Sequence, residues 1–239
     1  MISCKLNGGL GNQCFQIAKV LSVAHETDQE ARFDLHNTVV MQGNPGITYR
    51  DNIFSKVKEL QEGESPIIYS EGDGYWQSEK HFANIKKYIV DYFSNVTELS
   101  RLLGKYKDIL TNSVSIHVRR GDYLITGDVL EQEYYYRALN KLWETDSTDN
   151  HLVFSDDVEW CKHNFLMYHN KIHYVTGLKD WEELYLMSLC TNNIVANSSF
   201  SWWGAYLNRN KTKKVFAPRP WTASHNDDIY FNGMITIPR

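Results

Sequence analysis

The chain has 239 residues, 42% of them hydrophobic, and a formal net charge of −4. That length suits one large α/β domain or two smaller lobes, and the excess of acid argues against a general nucleic-acid binder, which is ordinarily basic. No run is long and apolar enough to span a bilayer.

Ile2, Cys4 and Leu6 alternate as a first strand. Met1 to Lys5 enters this pattern at once, without the charged and then apolar order of a secretory leader, so a cytoplasmic chain is expected. The sequons at Asn95 and Asn197 then read as chance matches. The four cysteines, Cys4, Cys14, Cys161 and Cys190, form no C-x-x-C pair. That spacing fits buried thiols in a reducing compartment and gives no zinc site.

Asn7 to Gln13 is a glycine-rich turn, and Ile17, Val20, Leu21 and Ala24 then share one helix face. Strand, glycine-rich loop and helix open a doubly wound sheet, and such a loop lets backbone N–H groups approach an anion. The spacing is neither a Walker A loop nor a clean G-x-G-x-x-G, and a tight turn needing positive φ is the plainer reading. Residues 31–34 form a second strand pattern, 37–51 a loop, 53–62 a short helix and 66–70 a strand. Glycines beside Tyr75 and Trp76 make an aromatic corner that could stack on a sugar or merely pack. Helical periodicity follows at Phe82, Ile85 and Ile89. A domain boundary is placed near 95–112, giving lobes 1–107 and 108–239.

Ser113 to Val118 is a β-branched strand that stops at Arg119-Arg120-Gly121-Asp122. Open α/β sheets bind ligands at the carboxyl ends of their strands. Arginine is always charged and grips phosphate oxygens in pairs, so this end suits a diphosphate; two solvated arginines in a turn are the alternative. A helix runs from about Leu130 to Trp143. Leu152 to Ser155 is a strand ending at Asp156-Asp157, where a carboxylate can accept two donors side by side or Ser155 or Asp156 can cap the next helix. Ile172 to Val175 is a strand, and Asp180-Trp181-Glu182-Glu183 has the form of a capping box. Ile194 to Ala196 empties into Asn197-Ser198-Ser199-Phe200-Ser201, hydroxyls and N–H groups before a helix start that fit an anion. Trp202, Trp203 and Tyr206 read as core. Residues 211–218 read as a turn and the final strand, 220–228 as a polar loop, and Met234 to Ile237 closes the chain. Strands and helices alternate, and polar motifs recur where strands end.

Four strings together resemble the α-1,2-fucosyltransferase family: residues 8–16 (GGLGNQCFQ), 117–123 (HVRRGDY), 154–157 (FSDD) and 186–205 (LMSLCTNNIVANSSFSWWGA). The resemblance implies a GT-B architecture of two Rossmann-like lobes facing a cleft. It implies GDP-L-fucose as donor, a galactose-type hydroxyl as acceptor, inversion to an α-fucoside, and neither cofactor nor obligatory metal. The absence of an Asp-x-Asp motif agrees with the last point, and arginine then neutralises the departing diphosphate.

By position, the resemblance implies that Arg119 contacts the β-phosphate, with His117 and Arg120 holding the nucleotide or the motif itself. Asp156 would read the guanine edge. Ser198, Ser199, Phe200 and Ser201 would wrap the phosphates and base. Gly11 and Asn12, in the first loop, would reach the fucose or its phosphate. Asp122 is the nearest carboxylate for a catalytic base, with a bracing salt bridge as its plainer role; Glu71 and Asp73 are weaker options. A short acceptor-side lobe leaves the acceptor open. Lys56, Lys58, Lys86 and Lys87 could brush an anionic membrane or simply face solvent. A non-catalytic GDP-sugar or glycan binder, and a transferase for another sugar, are the rival functions. A P-loop enzyme is disfavoured because no Lys-Ser/Thr follows the glycines.

Overall fold

The computed structural model describes residues 1–70, 74–165, 171–223 and 227–239. They form two compact units, Met1–Val96 and Thr97–Arg239. Glu71 and Asp73, the weaker candidates for a base, lie outside the described residues.

In the first unit, β1 (Ile2–Ser3) precedes α1 (Leu10–Glu26) and pairs in parallel with β2 (Ile67–Ile68). The expected strand at 31–34 is reduced to isolated parallel bridges, Ile2 with Ala31 and Phe33 with Glu59. Cys14, Phe15, Ile17, Ala18 and Val20 make the fully buried stripe of α1. The helix begins earlier than the glycine pattern suggests, so Gly11 and Asn12 sit in its first turn. Residues 53–62 are not helical. Ile53 and Phe54 turn inward, the Phe54 ring meets Tyr49 edge-on at 5.3 Å, and Glu59 is drawn into its bridge with Phe33. Tertiary pairing has overridden a weak local helix preference there.

A short helix, α2 (Lys86–Tyr92), follows a 3₁₀ segment. Lys56, Lys58 and Lys87 line a cavity of about 690 Å³ with Tyr88 and Tyr92. Lys58 pairs with Glu30 and Lys86 with Glu79.

The second unit is built on one parallel sheet. After α3 (Val96–Leu110) come β3 (Ser113–Val118), α4 (Tyr123–Thr126), α5 (Gln132–Trp143), β4 (Asn150–Ser155), α6 (Val158–Asn164) and β5 (Lys171–Tyr174). Then follow α7 (Asp180–Leu189), β6 (Asn192–Ile194), α8 (Ser199–Leu207), β7 (Val215–Arg219) and β8 (Met234–Pro238). The strand order is β5-β4-β3-β6-β7-β8, with every pair parallel. Such a sheet is covered on both faces, and the chain supplies two cores accordingly. Val114, Ile116 and Val118 pack with Tyr134, Ala138 and Leu139 of α5, while Leu152 and Phe154 pack with Leu186 and Met187 of α7. Trp202, Trp203 and Tyr206 are buried as expected, with Trp202 stacked on Tyr206 at 4.6 Å. The four cysteines are buried free thiols.

Successive strands run outward from β3 through β4 to β5, and the chain then returns to β6 on the other side of β3. The order therefore reverses between β3 and β6. In open α/β sheets that reversal opens a crevice beyond the carboxyl ends of the two strands, where ligands bind. Both ends carry motifs singled out in the sequence: Arg119 to Asp122 after β3, and Asn197 to Ser201 after β6.

Candidate active site

Successive side chains of β3 point to opposite faces of the sheet. Val114, Ile116 and Val118 form the face packed against α5, so His117 lies on the other. The His117 ring lies 5.5 Å from the Phe200 ring. Burial, and then the charge of Arg119, push its pKa down to about 3, so the ring is neutral at physiological pH. Its Nδ1 is buried without a hydrogen-bond partner among the described residues.

The two arginines that follow are held differently. Arg119 Nη2 meets Asp122 Oδ1 at 2.7 Å and Arg119 Nη1 meets Asp156 Oδ2 at 2.8 Å, with all three side chains about a quarter to a third exposed (27%, 32% and 27%). Arg120 is more enclosed. Its guanidinium carbon lies 4.1 Å over the Trp160 ring and its Nε donates to Asp157 Oδ2 at 3.0 Å. The Arg120 backbone N–H donates to Asp156 Oδ1 at 2.9 Å. The pair of cations expected at the strand end is thus met by three carboxylates.

The cap of α6 differs from both residues expected for it. Asp157 is the N-cap, accepting from the Trp160 N–H at 3.0 Å, while Ser155 Oγ accepts from the Asp157 N–H at 2.9 Å. Asp157 therefore serves the helix and Arg120 together, and both oxygens of Asp156 have protein partners. At α7 the box is shifted by one residue: the Glu182 carboxylate accepts from the Lys179 N–H at 2.9 Å, so Lys179 rather than Asp180 is the cap.

Beyond β6, Ser198 caps α8, with its Oγ accepting from the Phe200 N–H at 3.3 Å. Ser201 is buried and donates to the Ser198 carbonyl at 3.4 Å. Ser199 and Phe200 are half-buried in the first turn. The helix presents its first-turn N–H groups and positive dipole end at the carboxyl edge of the sheet, an arrangement that favours an anion. Asn197 ties this turn to the Arg119 loop: its Nδ2 donates to the Asp128 carbonyl at 2.9 Å, and its own carbonyl accepts from the Tyr123 hydroxyl at 3.0 Å.

The second unit thus brings together His117, Arg119, Arg120, Asp122, Asp156, Ser198, Ser199, Phe200 and Ser201. Gly11 and Asn12 belong to the first unit. There Gly8 adopts φ +78°, and Asn12 Oδ1 accepts from Gln77 Nε2 at 2.7 Å. The left-handed backbone expected of this loop is real, at Gly8.

Several participants carry no motif of their own. Trp160 lies one helical turn past Asp156, and only tertiary packing puts its ring under Arg120. Glu183 is a half-buried carboxyl in the first turn of α7, raised to about 7 by burial and by the charges of Asp180 and Glu182. Because α7 follows β5 in a parallel sheet, that first turn lies toward the carboxyl edge as well.

Against known proteins, the family model described as "Glycosyl transferase family 11" matches residues 48–234. An alpha-1,2-colitosyltransferase from Escherichia coli is 30% identical over 92% of this chain and 92% of its own length. The human galactoside alpha-(1,2)-fucosyltransferase 1 is 28% identical over 44% of this chain and 31% of its own. Among solved structures, POFUT1 in complex with GDP-fucose superposes with a TM-score of 0.58 at 12% identity, covering 89% of this chain and 95% of that one. That likeness speaks for the fold, which is α/β of the GT-B type. No helix among the described residues is long and apolar enough to cross a membrane. With the matched region running through both strand-end motifs and the sheet that carries them, the chain belongs to glycosyl transferase family 11.

Proposed function

We propose that the chain transfers L-fucose from GDP-β-L-fucose to a hydroxyl of a terminal β-galactoside, O2 by the resemblance, giving an α-1,2-fucoside with inversion. The observation that carries this reading is the pairing of Arg119 with the N-terminus of α8 at the sheet's reversal point. A guanidinium and a helix start there suit a diphosphate more than a neutral ligand.

The reaction is a displacement at the fucose anomeric carbon. The bond from that carbon to the β-phosphate oxygen breaks as the bond to the acceptor oxygen forms. The acceptor proton passes to a base or to solvent, and GDP leaves. Negative charge grows on the phosphate oxygens, where fixed donors lower the barrier most. Arg119 supplies the charged donor. The Ser199 N–H and the positive end of α8 line the phosphate side and Phe200 the base side, while the Ser198 and Ser201 hydroxyls hold that helix start in shape. His117, neutral and buried, acts as a hydrogen-bonding ring and not as a charge. Leaving-group stabilisation by Arg119 makes the reaction independent of added metal. The acceptor is a glycan, the setting is cytoplasmic, and any membrane contact is peripheral.

The test is turnover of GDP-fucose with lactose and a panel of β-galactosides. GDP release is followed and the product linkage is assigned by NMR. A released GDP signal with an α-1,2 linkage is expected; GDP binding without turnover overturns the reading in favour of a binding module. The extent of the match to the colitose-transferring relative favours one second reading, a donor sugar lacking the fucose 3-hydroxyl. A site built to hydrogen-bond that hydroxyl rejects the deoxy sugar by large factors, whereas an apolar pocket scarcely discriminates. Direct competition between the two nucleotide sugars separates these cases.

A further inference from the structure

Gly121 is small for a reason that its backbone does not give. It is absent from the glycines with positive φ, so its conformation does not call for glycine. A Cβ at this position would lie 2.7 Å from Asp156 Oδ2 and 3.5 Å from Asp156 Cγ. The space a side chain would fill is taken by the carboxylate that reaches Arg119 Nη1 at 2.8 Å. From the other side Asp122 Oδ1 forms an ion pair with Arg119 Nη2 at 2.7 Å, close in distance but not aligned as a hydrogen bond.

We infer that Asp156 and Asp122 are positioning residues that clamp the Arg119 guanidinium between them, and that Gly121 is glycine in order to admit one jaw. This deepens the proposed function and rests on it. It also assigns Asp156 away from the guanine base and Asp122 away from proton abstraction. A guanine edge would have to share both Asp156 oxygens with protein donors, since Oδ1 already accepts the Arg120 N–H at 2.9 Å and Oδ2 holds Arg119 at 2.8 Å.

The physical gain is preorganisation. A free arginine side chain has many rotamers to lose when it grips a ligand. A guanidinium held in place by two ion pairs before the donor arrives does not lose that freedom in the transition state. A displacement on the order of 1 Å in such a group costs about a hundredfold in rate. The clamp also sets the resting charge: one guanidinium facing two carboxylates is not a bare cation, so its contribution lies in direction more than in net attraction.

Asp156→Asn, Asp122→Asn and Gly121→Ala test the clamp, each alone and the first also combined with Arg119→Ala. Asp156→Asn is expected to lower kcat by roughly ten- to a hundredfold, with the GDP dissociation constant and the preference for GDP over UDP unchanged. In the Arg119→Ala background the same change should cost nothing further, because its target is gone. Gly121→Ala should reproduce the kcat loss with Asp156 intact. A relaxed preference for GDP over UDP in Asp156→Asn, or an equal loss with and without Arg119, overturns the clamp. A second readout needs no turnover. The Arg119 Nη–H resonances, assigned by their loss in Arg119→Ala, should be slowly exchanging in the wild type, where both Nη groups meet carboxylates, and fast in Asp156→Asn and Gly121→Ala. If GDP-fucose is not turned over but this exchange pattern holds, the clamp stands and the proposed reaction falls; unchanged exchange in the variants sinks the clamp whatever the reaction.

Discussion

Replacing Arg119 by alanine is the most direct perturbation of the site. It removes the guanidinium and leaves Asp122 and Asp156 facing the space it filled. Two consequences can be separated by size. The ion pairs are about a quarter to a third exposed, so each contributes no more than ~1 kcal/mol to stability. For a chain of this length that is a fall in Tm of about 2–4 °C per kcal/mol. The catalytic consequence is larger, because a preformed donor to the leaving group acts in the transition state. Loss of one such donor costs roughly 10²–10³ in kcat, about 2.7–4 kcal/mol. GDP affinity should fall much less, within about tenfold or ~1.4 kcal/mol, because the α8 N-terminus and the base contacts remain. The assay pairs steady-state GDP release with calorimetric titration of GDP, after a thermal melt shows that the variant is folded. A loss of GDP affinity as large as the loss in kcat/KM would mean that Arg119 merely binds the nucleotide, and wild-type turnover would refute its role altogether.

Further expectations bear on the fold, on metal and on pH. Gly204→Ala should destabilise by ~1–3 kcal/mol, less up to ~1 kcal/mol regained from helix propensity, because the added Cβ meets Met187 Cβ at 2.9 Å and Sδ at 3.0 Å; a chemical denaturation midpoint reads this. Asn193→Ala should cost on the order of 1–3 kcal/mol for each buried group it orphans, since Asn193 Nδ2 donates to Ser115 Oγ at 2.7 Å and to the Met187 carbonyl at 2.8 Å, while its Oδ1 accepts from Asn208 at 2.9 Å. Chelation by EDTA should leave the rate of GDP release unchanged. Glu183, raised to about 7, binds a proton more tightly when folded than when unfolded. Its penalty is therefore absent below the ordinary carboxyl value of about 4.3, grows as pH rises toward 7, and is full above it. Glu183→Gln should raise Tm at pH 8 and leave it nearly unchanged near pH 4, as scanning calorimetry at the two pH values would show.

The sheet was legible because its causes are local. A β-branched run at 113–118, apolar runs at 152–154 and 194–196, and helix-period stretches between them need no tertiary information to declare themselves. The first unit was less legible for the opposite reason. Its residues 31–34 pair only through isolated bridges, and 53–62 follow Phe33 and Tyr49 instead of their own propensity. Lys179 could not be foreseen as a cap, since nothing in a lysine side chain favours that position over Asp180.

The site shows where residue type stops short of role. A carboxylate after a strand can cap a helix, read a base or brace an arginine, and the sequence offers all three for Asp156 and Asp157. What decides is the parallel register of β3 with β4, which sets Val118 opposite Ser155 and so brings Arg119 and Arg120 beside the two aspartates that follow. Once the strands are in register, Asp157 is committed by the Trp160 N–H and Arg120, and Asp156 is left to Arg119 because residue 121 has no side chain to exclude it. The roles of the acids thus follow from a glycine on the neighbouring strand's loop, a residue whose own motif reads only as a turn.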